Sequence, residues 1–126
     1  MATPGFNAHV LLIEDDSALG AVTTEVLTHL GHDVAWSTSA NAAFASLSHD
    51  HAFDAILLDL GLGAQDGVTL VKALRERGCN LPPLLVFSAQ PMDALRRAAR
   101  ATRAVGILQK PCTATQLADA LQRALQ

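Results

Sequence analysis

Three short apolar runs in this chain stop abruptly at groups that do chemistry. Val10-Leu-Leu-Ile13 runs into Glu14, Asp15 and Asp16. Ala55-Ile-Leu-Leu58 runs into Asp59, and Leu84-Leu-Val-Phe87 runs into Ser88. A fourth run, Gly106-Ile-Leu-Gln109, ends at Lys110-Pro111. Each polar residue alone has a plainer reading: Asp59 as a strand-end turn residue, Ser88 as a helix cap, Lys110 as one half of an ion pair. Together they make a different set. Three carboxylates held close repel one another and would take up protons unless a cation intervened. A hard divalent cation bound through oxygen removes that conflict, and Mg²⁺ suits a site with few carboxylates and several waters. One carboxylate then remains a nucleophile. Lys110 supplies a point charge for a phosphoryl oxygen, and the Ser88 hydroxyl supplies a hydrogen bond to another. The chemistry that fits is phosphoryl transfer to the Asp59 carboxylate, giving an acyl phosphate.

The elements that must position these groups are legible in the hydrophobic pattern. The runs ending at Ile13, Leu58 and Phe87 are apolar throughout, as strands buried on both faces are. Asp33-Val-Ala-Trp-Ser37 and the run from Gly106 are shorter or more polar, which suits sheet edges. Between them lie five helical stretches. Leu19, Val22, Val26, Leu27 and Leu30 recur as one apolar stripe in the first, which Gly31 is placed to end, with Ser17 or Asp16 as its cap. Ala43, Phe44 and Leu47 point inward from the second; Val68, Val71 and Leu74 from the third, which ends near Gly78; Leu95, Ala98, Ala99 and Thr102 from the fourth; Leu117, Leu121 and Leu125 from the last. Strand and helix therefore alternate five times, which predicts an α/β fold with a parallel sheet between two helix layers. In open sheets of this kind ligands bind beyond the carboxyl ends of the strands. Glu14, Asp15, Asp59, Ser88 and Lys110 all fall at those ends and are expected to share one crevice. Gly61, Gly63 and Gly67 give the chain after Asp59 room to turn sharply.

Composition narrows the function classes. The chain has 126 residues, half of them hydrophobic, enough for one domain with one substantial core. Only 17% are charged and the net charge is -3, with a pI near 5.9, which argues against a general nucleic-acid or membrane-surface binder. No apolar run approaches membrane-spanning length, and the opening residues lack the basic-then-apolar form of a secretory signal. Residues 1–8 read as a disordered lead-in and 9–126 as the domain. Cys79 and Cys112 lack metal-ligand spacing and fit a reduced, cytoplasmic chain. His49 and His51 flank a loop residue, with nothing nearby to complete a ligand set. Arg96, Arg97, Arg100 and Arg103 crowd one side of the fourth helix, a solvated face or a candidate docking surface for an acidic partner.

The four motifs in this order and spacing resemble the receiver domain of two-component response regulators. They are Val-Leu-Leu-Ile-Glu14-Asp15-Asp16; Asp59-Leu-Gly-Leu-Gly-Ala-Gln-Asp66-Gly67; Val-Phe-Ser88-Ala89; and Lys110-Pro111. The resemblance runs from about His9 to Leu125. It implies a flavodoxin-like, doubly wound (βα)5 fold with a five-stranded parallel sheet in the order 2-1-3-4-5. It implies phosphorylation of Asp59 by a partner histidine kinase or histidine phosphotransfer protein, and a regulatory phosphoacceptor domain, not an enzyme. By the same match Asp15 and Asp59 would bind Mg²⁺ directly with the Gly61 carbonyl, Glu14 would act through water, and Ser88 and Lys110 would contact the phosphoryl group. The Lys110-Pro111 bond would be cis.

The chain also departs from the family. The family usually carries an aromatic residue three before the lysine, which swings inward when the serine or threonine is pulled by phosphorylation; here that residue is Ile107, and the chain has no tyrosine. Proline is usual where Gly63 stands. The signal would leave through the fourth helix, last strand and fifth helix, arginine face included, to a downstream effector or an output domain outside this chain, or through a homodimer formed by that face. Direct binding of nucleic acid or membrane by this chain is not expected. A stand-alone receiver and one cut from a longer protein fit equally. Two other readings are kept: a receiver-like interaction module that is never phosphorylated, and a small Mg²⁺-dependent phosphatase using Asp59. The haloacid dehalogenase family, to which the phosphatase reading looks, carries a second aspartate two residues after its nucleophile, where this chain has Gly61.

Overall fold

A computed structural model describes residues 7–49, 53–60 and 64–125. Five strands and five helices alternate along it: β1 (His9–Ile13), α1 (Ser17–His29), β2 (Asp33–Ser37), α2 (Ala40–His49), β3 (Ala55–Leu58), α3 (Ala64–Glu76), β4 (Leu84–Ser88), α4 (Met92–Thr102), β5 (Gly106–Gln109) and α5 (Ala114–Ala124). The strands form one parallel sheet in the order β2-β1-β3-β4-β5. The expected α/β fold and strand order are both present. So is the division of labour: the apolar strands β1, β3 and β4 are central, and β2 and β5 are the edges.

Alternate residues along each central strand feed two separate cores. Leu11, Ile13, Ile56, Leu58, Leu84 and Val86 pack with residues of α2, α3 and α4. Val10, Leu12, Ala55, Leu57, Leu85 and Phe87 pack with residues of α1 and α5. Burial on both faces explains why these strands are apolar runs and do not alternate. Gly67 lets α3 approach β3 closely, since a Cβ there would fall 2.7 Å from Leu58 Cδ1.

Helix α1 departs from expectation. Leu19 and Val22 were expected to face inward but are 46% and 60% exposed. The buried face is Gly20, Thr23 and Leu27. The reason is steric: the Trp36 side chain from β2 lies where a Gly20 side chain would be, so the helix turns its smallest residue to the sheet. Asp16 caps α1, accepting a hydrogen bond from the Leu19 N–H at 2.9 Å. Gly31 follows the helix at φ 97°, a left-handed position that glycine adopts without strain. Packing also begins before His9: Ala8 is buried, and its N–H donates to His32 Nδ1 at 3.1 Å. Residues 1–6, His51 and the turn residues Gly61 and Gly63 lie outside the described residues.

Helices α3 and α4 are tied by a side-chain fork. Arg75 Nε and Nη2 both donate to the Thr102 carbonyl, at 3.2 and 2.9 Å. That carbonyl belongs to the last turn of α4, which has no intrahelical donor to use it. The chain leaves α4 through Arg103 in the left-handed region, at φ 56°.

Candidate functional site

Sequence puts polar groups at the carboxyl ends of four neighbouring strands, and the sheet order brings them to one cleft. β1 delivers Glu14 and Asp15, β3 Asp59, β4 Ser88 and β5 Lys110; all five line the same cleft, together with Asp16 and the β4–α4 segment. Among the described residues no strand is longer than five residues, and backbone hydrogen bonds at its end fix its terminal residue. Asp59 N–H, for example, donates to the Ile13 carbonyl at 3.0 Å, and Lys110 N–H to the Ser88 carbonyl at 2.9 Å.

Carboxylate oxygens of Glu14, Asp15 and Asp59 lie within 4.8 Å of one another. Glu14 and Asp59 are buried and Asp15 is exposed. The Lys110 ammonium sits between the buried pair, 2.6 Å from Glu14 Oε1 and 3.2 Å from Asp59 Oδ2. It also lies 4.6 Å from the centre of the Phe87 ring, whose face attracts a cation. One ammonium therefore meets two of the three clustered carboxyl groups. The imbalance shows in Glu14, whose pKa is pushed up to about 7, first by burial and then by its neighbour Asp59, with Lys110 pulling the other way. Three oxygen donors with surplus negative charge suit a hard divalent cation.

The Ser88 hydroxyl is buried and accepts a hydrogen bond from the Gln90 N–H at 3.3 Å, which leaves its own proton to donate. Ser88 is thus both a turn cap and a cleft residue. Asp16, in the same acidic run, is occupied by capping α1. Ile107 is half-buried and packs on the α4 side of the sheet, while its neighbour Leu108 packs on the α5 side. The Lys110–Pro111 peptide is cis. Arg96, Arg97, Arg100 and Arg103 are all exposed, with Arg97 3.6 Å from Asp93. The Gly61 carbonyl and the side chain of Asp66 lie outside the described residues.

Three contacts around the cleft escaped sequence reading. Gln109 Nε2 donates to the Gln90 carbonyl at 3.0 Å, latching β5 to the β4–α4 segment. Phe87 lies beside Lys110. The Trp36 indole N–H donates to the Glu14 carbonyl at 2.8 Å. The one available signal was parity: Trp36 pairs with Leu12 in the sheet, which puts it two positions short of Glu14 on the α1 side.

Residues 10–122 match the family model of the response regulator receiver domain. The chain is 35% identical over 127 residues to ethylene receptor 2 of Oryza sativa subsp. japonica, covering 98% of this chain and 17% of that protein. It is 36% identical over 118 residues to the response regulator protein FleR of Pseudomonas aeruginosa, covering 92% of this chain and 24% of that one. The chain thus spans less than a quarter of the length of either relative. Among solved structures, Vibrio cholerae chemotaxis protein CheY4 superposes with a TM-score of 0.83 at 26% identity, over 94% of this chain and 99% of that one.

Proposed function

The chain belongs to the response regulator receiver domain family, and from that premise we propose that it accepts a phosphoryl group on Asp59 from a phosphohistidine of a sensor kinase or phosphotransfer protein. The observation that carries this reading is the meeting of Glu14, Asp15 and Asp59 within 4.8 Å, with the Lys110 ammonium against two of them. An Asp59 oxygen attacks phosphorus, the N–P bond of the donor histidine breaks, and an acyl phosphate forms. Lys110, now paired with Asp59, moves its charge to a phosphoryl oxygen. The Ser88 hydroxyl donates to another, spreading the charge of the group in transfer. Mg²⁺ would be held by Asp15, Asp59 and the Gly61 carbonyl, with Glu14 acting through water, and would neutralise the phosphoryl oxygens when bound.

The domain regulates by changing its protein contacts and does not turn over a substrate. Drawing Ser88 toward the phosphoryl group tugs β4 and the segment after it. Ile107 has no hydroxyl to follow, so the shift passes through its packing against the α4 layer. The output surface is α4, β5 and α5. Its arginines suit an acidic partner, an effector or an output domain elsewhere, and a second copy of the chain is the other occupant. Among the described residues no helix is long and apolar enough to cross a membrane, and we place the domain in the cytoplasm with its phosphodonor.

The test is intact-mass analysis after incubation with phosphoramidate and Mg²⁺. One added phosphoryl group, dependent on Mg²⁺ and absent from Asp59→Asn, is the expected result. No addition to wild type, under conditions that modify a known receiver, overturns the reading in favour of an interaction module that is never phosphorylated.

A further inference from the structure

Trp36 is the chain's only tryptophan, and it stands on the edge strand, beside the acidic loop and not in it. Both main-chain groups of Glu14 are nonetheless tied to this strand. The Glu14 N–H donates to the Ser37 carbonyl at 3.0 Å. The Glu14 carbonyl accepts from the Trp36 indole Nε1–H at 2.8 Å. The first bond is ordinary sheet pairing. The second needs this side chain, because Glu14 is past the end of β1 and the ladder has no donor left for its carbonyl.

The indole is itself seated. A Cβ on Gly20 would fall 2.0 Å from Trp36 Cζ2 and 2.6 Å from Nε1. Gly20 lies one turn into α1 and is buried. A helix interior disfavours glycine, so its presence here answers the space the ring needs. Between the two anchors, the Glu14 carbonyl and Gly20, runs the short segment that carries Asp15 and Asp16. Asp16 fixes the far end by capping α1. Asp15 is exposed, so the place of its carboxylate depends on the backbone it hangs from.

We propose that the Trp36 indole, seated on Gly20, is a positioning residue for the acidic cation site, holding the Glu14–Asp15 backbone so that both carboxylates face Asp59. The proposal rests on the reading of Glu14, Asp15 and Asp59 as a Mg²⁺ site. It touches no phosphoryl chemistry directly. Its action is on how much of the cation's binding is spent ordering the loop.

The experiment is Mg²⁺ titration followed by amide NMR shifts of Glu14, Asp15 and Asp16, with urea unfolding run on each variant. Four proteins are compared with wild type: Trp36→Phe, Gly20→Ala, Asp59→Asn, and the full chain with its single tryptophan replaced biosynthetically by benzothienylalanine. That analogue keeps the ring's shape and puts sulfur where the N–H was. Trp36→Phe and the analogue are expected to bind Mg²⁺ between about twofold and tenfold more weakly, the range one intramolecular hydrogen bond spans. Gly20→Ala, which displaces the ring, is expected to weaken binding likewise. Asp59→Asn is expected to lose most of it. Folded Trp36→Phe, analogue and Gly20→Ala proteins that bind Mg²⁺ as wild type does, whatever their stability, overturn the positioning role and leave Trp36 a packing residue. No Mg²⁺ binding by wild type overturns the cation-site reading itself, and the proposal with it. Should Trp36→Phe fail to fold, the analogue decides.

Discussion

Lys110 Nζ lies 2.6 Å from Glu14 Oε1, joining the ends of β5 and β1 across the cleft. The same ammonium reaches Asp59 at 3.2 Å. One cation thus holds two buried carboxylates from strands that are not neighbours in sequence, and the charge left over makes the site ready for a second cation.

The charge balance predicts the effect of removing Asp59's negative charge. Asp59 is one of the causes that raise Glu14 to about 7, after burial. Asp59→Asn should bring the Glu14 titration down from that value toward the ordinary carboxylate range, leaving the part due to burial. Saturating Mg²⁺ should lower it in wild type. Carboxyl carbon shifts of Glu14 followed against pH, without divalent cation, check the first; the same titration with Mg²⁺ checks the second.

Burial lowers the pKa of His32, which accepts a hydrogen bond at Nδ1 from the Ala8 N–H and so is held neutral. The sign follows from linkage. Above the ordinary histidine value of 6.5 both folded and unfolded states are neutral at this residue and stability does not depend on it. As pH falls below that value the unfolded chain takes up the proton first, and stability is lost until the folded pKa is passed. His32→Gln should flatten this part of the acid dependence. Urea unfolding of both proteins from pH 7.5 downward measures it.

Asp16 belongs to the acidic run but serves α1. Asp16→Ala should cost about 1 kcal/mol of stability, the usual worth of a side-chain N-cap. Phosphorylation of Asp59 by phosphoramidate should survive, in contrast to Asp15→Ala. Chemical denaturation paired with intact mass separates the two residues.

The Arg75 fork on the Thr102 carbonyl holds the end of α4 to α3. Arg75→Met keeps most of the stem and removes both donors. It should cost about 1.5–3 kcal/mol, as loss of hydrogen bonding by a charged group does. Amide exchange should rise in the last turn of α4 and in the segment through Arg103, and an unchanged exchange pattern would count against the fork as the anchor of that helix.

Much of this was legible in the sequence because the governing signals are local. An apolar run stopped by Asp59 says both where a buried strand ends and which residue stands at its mouth. Alternation of such runs with helical stripes gave the fold. What the sequence concealed are contacts set by size at a distance. Leu19 and Val22 fit the helical period as well as Gly20 and Thr23 do, and hydrophobicity widened the stripe past its buried part, where Leu27 lies and Val26 packs. Only the indole of Trp36, sixteen positions beyond Gly20 in the numbering, says why the smaller residues turn inward. The Gln109–Gln90 and Arg75–Thr102 bonds are similarly invisible, since each joins a side chain to a main-chain carbonyl that any residue would supply.

The central strands carry a further consequence. Because Val10 and Leu12 feed one core and Leu11 and Ile13 the other, sliding β1 by one residue would exchange the two sets with no polar group misplaced among them. Hydrophobicity therefore gives such strands no alignment of their own. The polar residues that close each run supply it: a slide inward would carry Glu14 away from Lys110 and into the apolar part of the sheet, and a slide outward would push Ile13 into the cleft. The carboxylates of the site act as end stops for the sheet. The groups that line the candidate site are also those that make its strand pairing unique, and a variant stripped of all of them would lose alignment as well as the cleft's charge.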